Sequence, residues 1–167
     1  IVNTFKDPRL LFIDNKVNKG KAGVLNQGIE AATGDFIATM DADTEVSADV
    51  VRKVLPYFKD PRMGAVTVAV RVRNPKKLLE KVIEIEYLLG LSLWLKILSF
   101  LDSIHVTPGP FSMYRKSMLD QIGYFDVKNM TEDLEIGHRI QKNQYKIACC
   151  LATHVSMVIP NTIKGLY

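Results

Sequence analysis

The sequence predicts an α/β fold, a largely parallel central sheet with helices packed over it. Two observations carry that prediction. In the first half of the chain, short apolar runs of strand length alternate with longer stretches of helical composition, the order that arises when helices serve as crossovers between strands. Val66, Val68, Val70 and Val72 then recur at every second position, the period of a strand. With 167 residues, 47% of them hydrophobic and 24% charged, the chain is long and apolar enough for one domain with a real core, residues 1–167.

Taken in order, Leu10–Ile13 is a short apolar run and a candidate strand, and Asn15–Gly23 is a polar, glycine-containing loop. Ala22–Ala32 reads as a helix stopped by Gly34. Phe36–Met40 is a buried strand. Ser47 is a candidate N-cap for a helix over about Ala48–Phe58, with Asp49 in its first turn. The valine-rich strand covers Gly64–Arg73. Pro75 opens a long helical stretch, Lys76–Leu101, charged at its start and nearly uncharged from Tyr87 onward. That apolar run is shorter than the roughly 20 residues a spanning helix needs, so it fits a core helix or one lying in a membrane interface, with Trp94 and Lys96 at the headgroups. Phe111–Arg115 is a strand, Lys116–Ile122 a helix ended by Gly123, and Glu132–Asn143 a helix capped by Thr131. Tyr145–Leu151 and Val155–Ile159 are two further strands.

Net charge is +4, which suits anionic substrates or an anionic membrane surface. The basic residues are scattered, without a Lys/Arg run interleaved with aromatics, so nucleic acid is not expected as a partner. Cys149 and Cys150 are adjacent, make neither a disulfide framework nor a metal knuckle, and on a strand would face opposite sides. The chain starts at Ile1 and stops inside an apparent helix start, as a piece of a longer protein would.

Three constellations carry chemistry. Asp41-Ala42-Asp43 places two hard oxygen ligands where a buried strand ends, an arrangement suited to Mg²⁺ or Mn²⁺ shared with a substrate's phosphates. Taken alone it equally fits an acidic turn before the next helix. Asn18-Lys19-Gly20-Lys21-Ala22-Gly23 stands directly before a helix. Glycines let backbone approach a ligand, the helix N-terminus offers free N–H groups, and Lys21 adds a point charge for a diphosphate. The alternative is a flexible connection with solvated lysines. Thr131-Glu132-Asp133 sets two carboxylates in the first turn of a helix, either as simple capping or as a general base at a site mouth. The histidines have no metal-ligand spacing and read as structural.

In this order the constellations resemble family 2 glycosyltransferases. The resemblance runs through Asn18-x-Gly20-Lys21-Ala22-Gly23-x-Leu25-Asn26-x-Gly28, Gly34-Asp35-Phe36 leading to Asp41-Ala42-Asp43, Pro108 to Arg115, and Gly123-Tyr124-Phe125-Asp126 with Thr131-Glu132-Asp133. The Thr-Glu-Asp pattern after a long apolar helix is most similar to the chitin-, hyaluronan-, cellulose- and poly-N-acetylglucosamine-type synthases. Haloacid-dehalogenase-type phosphohydrolases share Asp-x-Asp after a strand, but Glu45 stands where they carry Thr or Val.

The resemblance implies a GT-A (Rossmann-like), mostly parallel sheet whose first, nucleotide-contacting strand lies before Ile1 and whose Gln-x-x-Arg-Trp motif lies after Tyr167. It implies inverting transfer of N-acetylglucosamine or glucose from a UDP-sugar to a polysaccharide or lipid-linked acceptor. Asp43, with Asp41, would hold Mg²⁺ or Mn²⁺. Lys21, Asp41, Gly20 and Asn18 would serve the donor, Asp133 the proton transfer with Glu132 beside it, and Gly109 and Arg115 the acceptor side. Flanking segments would fix the whole protein in the cell membrane with this domain on the cytoplasmic side, while the piece itself would be soluble and either active or a folded, inactive module.

Overall fold

In a computed structural model, residues 6–160 are described, and the sheet is organised around β3 (Met63–Val72). Nearly every side chain of β3 is buried, so both of its faces are covered. The two faces differ in size. Val66, Val68 and Val70 pack in one layer with Val50, Val54 and Phe58. Ala65 faces the other layer, where the bulky residues Ile29, Tyr114, Met118, Ile136 and Ile140 come from neighbouring elements. The valine alternation therefore marks large and small faces of a central strand rather than a buried and a wet one.

The other strands are β1 (Phe36–Thr39), β2 (Thr44–Val46), β4 (Ser112–Arg115) and β5 (Lys146–Met157), in the spatial order β1-β4-β3-β5-β2. The sheet is mixed. β4 is antiparallel to both β1 and β3, β2 is antiparallel to β5, and β3–β5 is the one parallel pair among the described residues. The expectation of a mostly parallel sheet is corrected on this point. Its direction was right, since β1, β3 and β5 all point the same way. What the alternation of strands and helices does not reveal is that β4, arriving later in the chain, slots between β1 and β3.

Among the described residues, six α-helices cover the sheet. The helix α1 (Gly20–Ala31) starts two residues earlier than expected, so Lys21 and Gly23 lie in its first turn rather than in a loop before it. In α2 (Val50–Val54) the chain tightens into a 3₁₀ turn over Leu55–Lys59, because Pro56 has no N–H to continue the α ladder. Asp49, not Ser47, holds the cap position, and it accepts a 2.8 Å hydrogen bond from the Thr153 hydroxyl. α5 (Lys116–Ile122) ends at Gly123, whose φ of +89° is open to glycine. α6 (Glu132–Lys142) follows Thr131. Leu10–Ile13 forms no strand, and Leu10, Leu11 and Phe12 are exposed among the described residues. The two late strands expected are one, β5, with a bulge where its register on β3 jumps from Cys150 to His154.

The long helical stretch is continuous from Leu78 to Phe100: α3 (Leu78–Glu86), a π-helical segment (Tyr87–Trp94) and α4 (Leu95–Phe100). It passes from one layer to the other, since Tyr87 and Leu91 pack with the valine-rich core and Leu95 and Leu98 with the second core. Between them it crosses the edge of β5 that β2 leaves uncovered. There Lys96 Nζ donates to the Cys149 carbonyl (3.3 Å) and Ser99 Oγ accepts the Cys149 N–H (3.2 Å). Side chains thus satisfy a sheet edge that would otherwise be bare. Cys149 and Cys150 are buried free thiols on opposite faces, one in each core.

Candidate active site

A cleft of about 520 Å³ opens where β1 runs out. Three kinds of chain end meet there: the carboxyl end of β1 with Asp41 and Ala42, the N-termini of α1 and α6, and the Thr107–Gly109 approach to β4. Clefts beyond the carboxyl ends of strands are where α/β sheets bind ligands. Two helix N-termini bring N–H groups and positive dipole ends, which favour an anion. Val24, Leu25, Phe125 and Tyr114 supply an apolar wall. Tyr114 is fully buried, so its phenol pKa is pushed up to about 12, and it stays neutral.

Lys21 ties the three constellations together. Its Nζ lies 3.0 Å from Asp41 Oδ1 and 3.1 Å from Glu132 Oε1. Partial burial works against its charge, but the two carboxylates outweigh that and raise its pKa. The ammonium is half exposed, so each pair contributes about 0–1 kcal/mol to stability. Gly109 is what lets the pair close. A Cβ there would stand 2.8 Å from Lys21 Nζ and 2.9 Å from Asp41 Oδ2.

The acidic end of α6 is fixed by backbone. Thr107 donates both its N–H and its hydroxyl to the Asp133 carbonyl, each at 3.0 Å. One turn further, Gly137 lets α6 lie directly on the 105–106 backbone, where a Cβ would come within 2.3 Å of the His105 carbonyl oxygen. The Asp133 carboxylate makes no ion pair among the described residues; it accepts the Leu134 N–H at 2.8 Å and lines the cleft. On the far wall, the Asn26 side chain makes a two-way bridge to Phe125, donating to its carbonyl (2.8 Å) and accepting its N–H (2.9 Å).

The cleft brings together Asn18, Gly20, Lys21, Asp41, Gly109, Glu132 and Asp133. Asp43 is exposed and sits just outside, toward Tyr87, whose phenol pKa is raised by burial and by the Glu86 and Asp43 carboxylates. Arg115 is not brought in and is corrected as an acceptor-side residue. It lies at the opposite end of β4, donates to the carbonyls of Met63, Phe58 and Asp60, and stacks on Phe36 and Phe58. Sequence reasoning missed Thr107, Tyr114 and Gly137. Gly137 alone left a signal, a glycine inside a helical pattern.

Among the described residues no group of three or more His, Cys, Asp or Glu could hold a metal by itself. A divalent ion here would have to complete its shell with ligand oxygens, as Mg²⁺ or Mn²⁺ does on a diphosphate, and Asp43 is an exposed carboxylate at the cleft's rim that could contribute one.

The family model described as glycosyl transferase family 2 matches residues 1–123. The chain belongs to that family, and the match takes in Lys21, Asp41, Asp43 and Gly109. The chain is 33% identical over 158 residues to a poly-beta-1,6-N-acetyl-D-glucosamine synthase of Staphylococcus aureus (strain COL), covering 94% of this chain and 38% of that protein. It is 34% identical over 157 residues to the synthase of the same name from Staphylococcus epidermidis (strain ATCC 35984), covering 93% and 38%. Coverage that long necessarily includes Glu132 and Asp133. The chain thus spans well under half the length of the curated relatives it matches. Among solved structures, a mannosyltransferase from Pyrobaculum calidifontis in complex with GDP-Man and Mn²⁺ has a TM-score of 0.68 at 18% identity, covering 90% of this chain and 40% of that one. GalNAc-T7 with UDP, GalNAc and Mn²⁺ has a TM-score of 0.61 at 15% identity, covering 87% and 31%. These neighbours establish the GT-A glycosyltransferase fold.

Proposed function

We propose that this chain is the donor-binding and catalytic part of a synthase that moves N-acetylglucosamine from a UDP-sugar onto a growing β-linked polysaccharide. The observation that carries the reading is the Lys21 bridge between Asp41 and Glu132, which gathers the family's donor-side and acceptor-side segments on one cleft. The sugar is taken from the names of the relatives.

In this reading the diphosphate lies over the N-terminus of α1, with Lys21 turning from its carboxylates toward the phosphates. A divalent cation shared with Asp43 would neutralise charge on the departing diphosphate. Asp133 accepts the proton of the acceptor hydroxyl while that oxygen forms its bond to the anomeric carbon. The bond from that carbon to the diphosphate oxygen breaks, UDP leaves, and the configuration inverts. Glu132 keeps Lys21 and the acceptor in place. No enzyme nucleophile takes part. The synthase as a whole would act at the membrane. Among the described residues no helix is long and apolar enough to cross a membrane.

Calorimetric titration of the chain with UDP, with and without Mn²⁺, tests the donor half. Binding should require the metal and should be lost in Asp43→Asn and Lys21→Ala. Metal-independent binding of equal strength would remove the assigned role of Asp43. Absence of any binding would favour a folded but inactive module.

A further inference from the structure

The helical run from Leu78 to Leu101 carries an apolar stripe that nothing among residues 6–160 covers. Leu78, Val82, Ile85, Leu89, Leu93, Trp94, Ile97, Phe100 and Leu101 are all exposed, Leu78 and Phe100 by 80% and 89%. From Ile85 to Ile97 the exposed residues advance in steps of four. A regular α-helix, at 3.6 residues per turn, would rotate such a series away from a single face. The π-helical segment Tyr87–Trp94 has wider turns and cancels that drift. The unusual winding thus keeps one straight apolar face on the outside while Leu91 and Leu95 stay in the cores. Monomeric proteins rarely expose contiguous apolar surface of this extent without a use for it.

The charges beside the stripe point to what covers it. Lys76, Lys77 and Lys81 are exposed at its N-terminal end. The acids there are already engaged: Glu80 accepts the Lys76 and Lys77 N–H groups (2.6 and 2.8 Å), and Glu84 is paired with Arg71 and the Val72 N–H. Glu86 is the exposed acid left. An apolar face with a tryptophan in it and a lysine rim is the pattern of a helix that lies in the headgroup layer of an anionic bilayer. A second copy of the chain paired in parallel would set the lysine rim against itself.

We propose that this face seats the domain directly on an anionic lipid surface, independently of any flanking anchor and of the transfer site. Trp94 is the protein's single tryptophan, so its fluorescence reports on this face alone. The test mixes the full chain with vesicles of phosphatidylcholine containing phosphatidylglycerol, or of phosphatidylcholine alone. With the anionic vesicles Trp94 emission should shift to the blue and be quenched by lipids brominated near the headgroup. Leu89→Asp/Leu93→Asp, at exposed positions, should weaken binding about tenfold or more. Lys76→Glu/Lys77→Glu/Lys81→Glu should weaken it about a hundredfold on anionic vesicles alone. Circular dichroism of both variants should match the parent. Unchanged Trp94 emission at saturating anionic vesicles would overturn the proposal. So would a blue shift without lipid that grows with protein concentration, which would show a second copy on the face.

Discussion

Replacing Gly137 by Ala should separate two effects that usually arrive together, loss of stability and loss of site geometry. The new Cβ would meet the His105 carbonyl oxygen at 2.3 Å, the carbonyl carbon at 2.6 Å and the Val106 nitrogen at 2.8 Å. Ordinary contacts need roughly 3.5 Å, so α6 and the 105–106 backbone must part by about 1 Å. Backbone cannot swing aside as a side chain can. Overpacking of this kind costs about 1–3 kcal/mol. Parting also strains the two hydrogen bonds from Thr107 to the Asp133 carbonyl, each contributing about 1 kcal/mol. Ala gains about 0.5–1 kcal/mol over Gly in a helix, which offsets a part.

The net destabilisation is about 2–4 kcal/mol, read as a drop of about 1–2 M in the urea midpoint. Gly109→Ala is the control. Its clashes are with the free ends of Lys21 and Asp41, which can move, so stability should change by no more than about 1 kcal/mol. The Lys21 ammonium should lose its raised pKa, visible in a lysine-side-chain NMR titration. If Gly137→Ala unfolds within about 0.2 M of the parent, the close approach of α6 to the Thr107 loop is not what holds Asp133 in place.

Four further outcomes follow from the geometry. Asn26→Ala removes both bonds to Phe125 and leaves a partly buried N–H and carbonyl unmatched, so urea unfolding should show a loss of about 2 kcal/mol. Asp133→Asn in an active synthase should lower transfer by about a hundredfold to ten-thousandfold while metal-dependent UDP binding is kept, and normal transfer would refute its role as base. Burial raises the Cys149 thiol to about 12, from an ordinary value near 9.0, and Tyr114 likewise to about 12. Both groups favour the protonated form in the folded state, so their contribution to stability is complete below pH 9 and is lost as pH rises toward 12. Native protein should leave both cysteines unreactive toward a disulfide reagent at pH 8, with both labelled in urea.

Much of this fold is legible because its elements are punctuated by residues with local rules. Gly123 ends α5, Pro56 tightens the end of α2, and the strand after Gly34-Asp35 runs to the site. What escaped reading is non-local. No local pattern tells that Ser112–Arg115 pairs with a strand more than seventy residues earlier, or that the β5 bulge joins two apparent strands. The same holds for the site. Lys21, Asp41, Glu132 and Asp133 carry chemistry in their residue types. Arg115 carries the same signal yet serves backbone carbonyls at the far end of β4. Thr107 is silent in sequence, and Gly137 shows only as a glycine inside a helical pattern, because their work is done by a backbone contact between distant segments.

The late arrival of β4 also sets the order in which this chain can be made. As the polypeptide emerges from the ribosome, β1 and β3 are complete long before Arg115 exists, and their facing edges have no partner. Pairings of such high sequence separation form slowly, and bare strand edges invite wrong partners. A chain released before about residue 115 would hold two sticky strands and half a cleft. The strand that carries the Gly109 approach into the site is thus also the one that closes the gap between β1 and β3, so conditions that stall translation before it should yield insoluble rather than merely inactive protein.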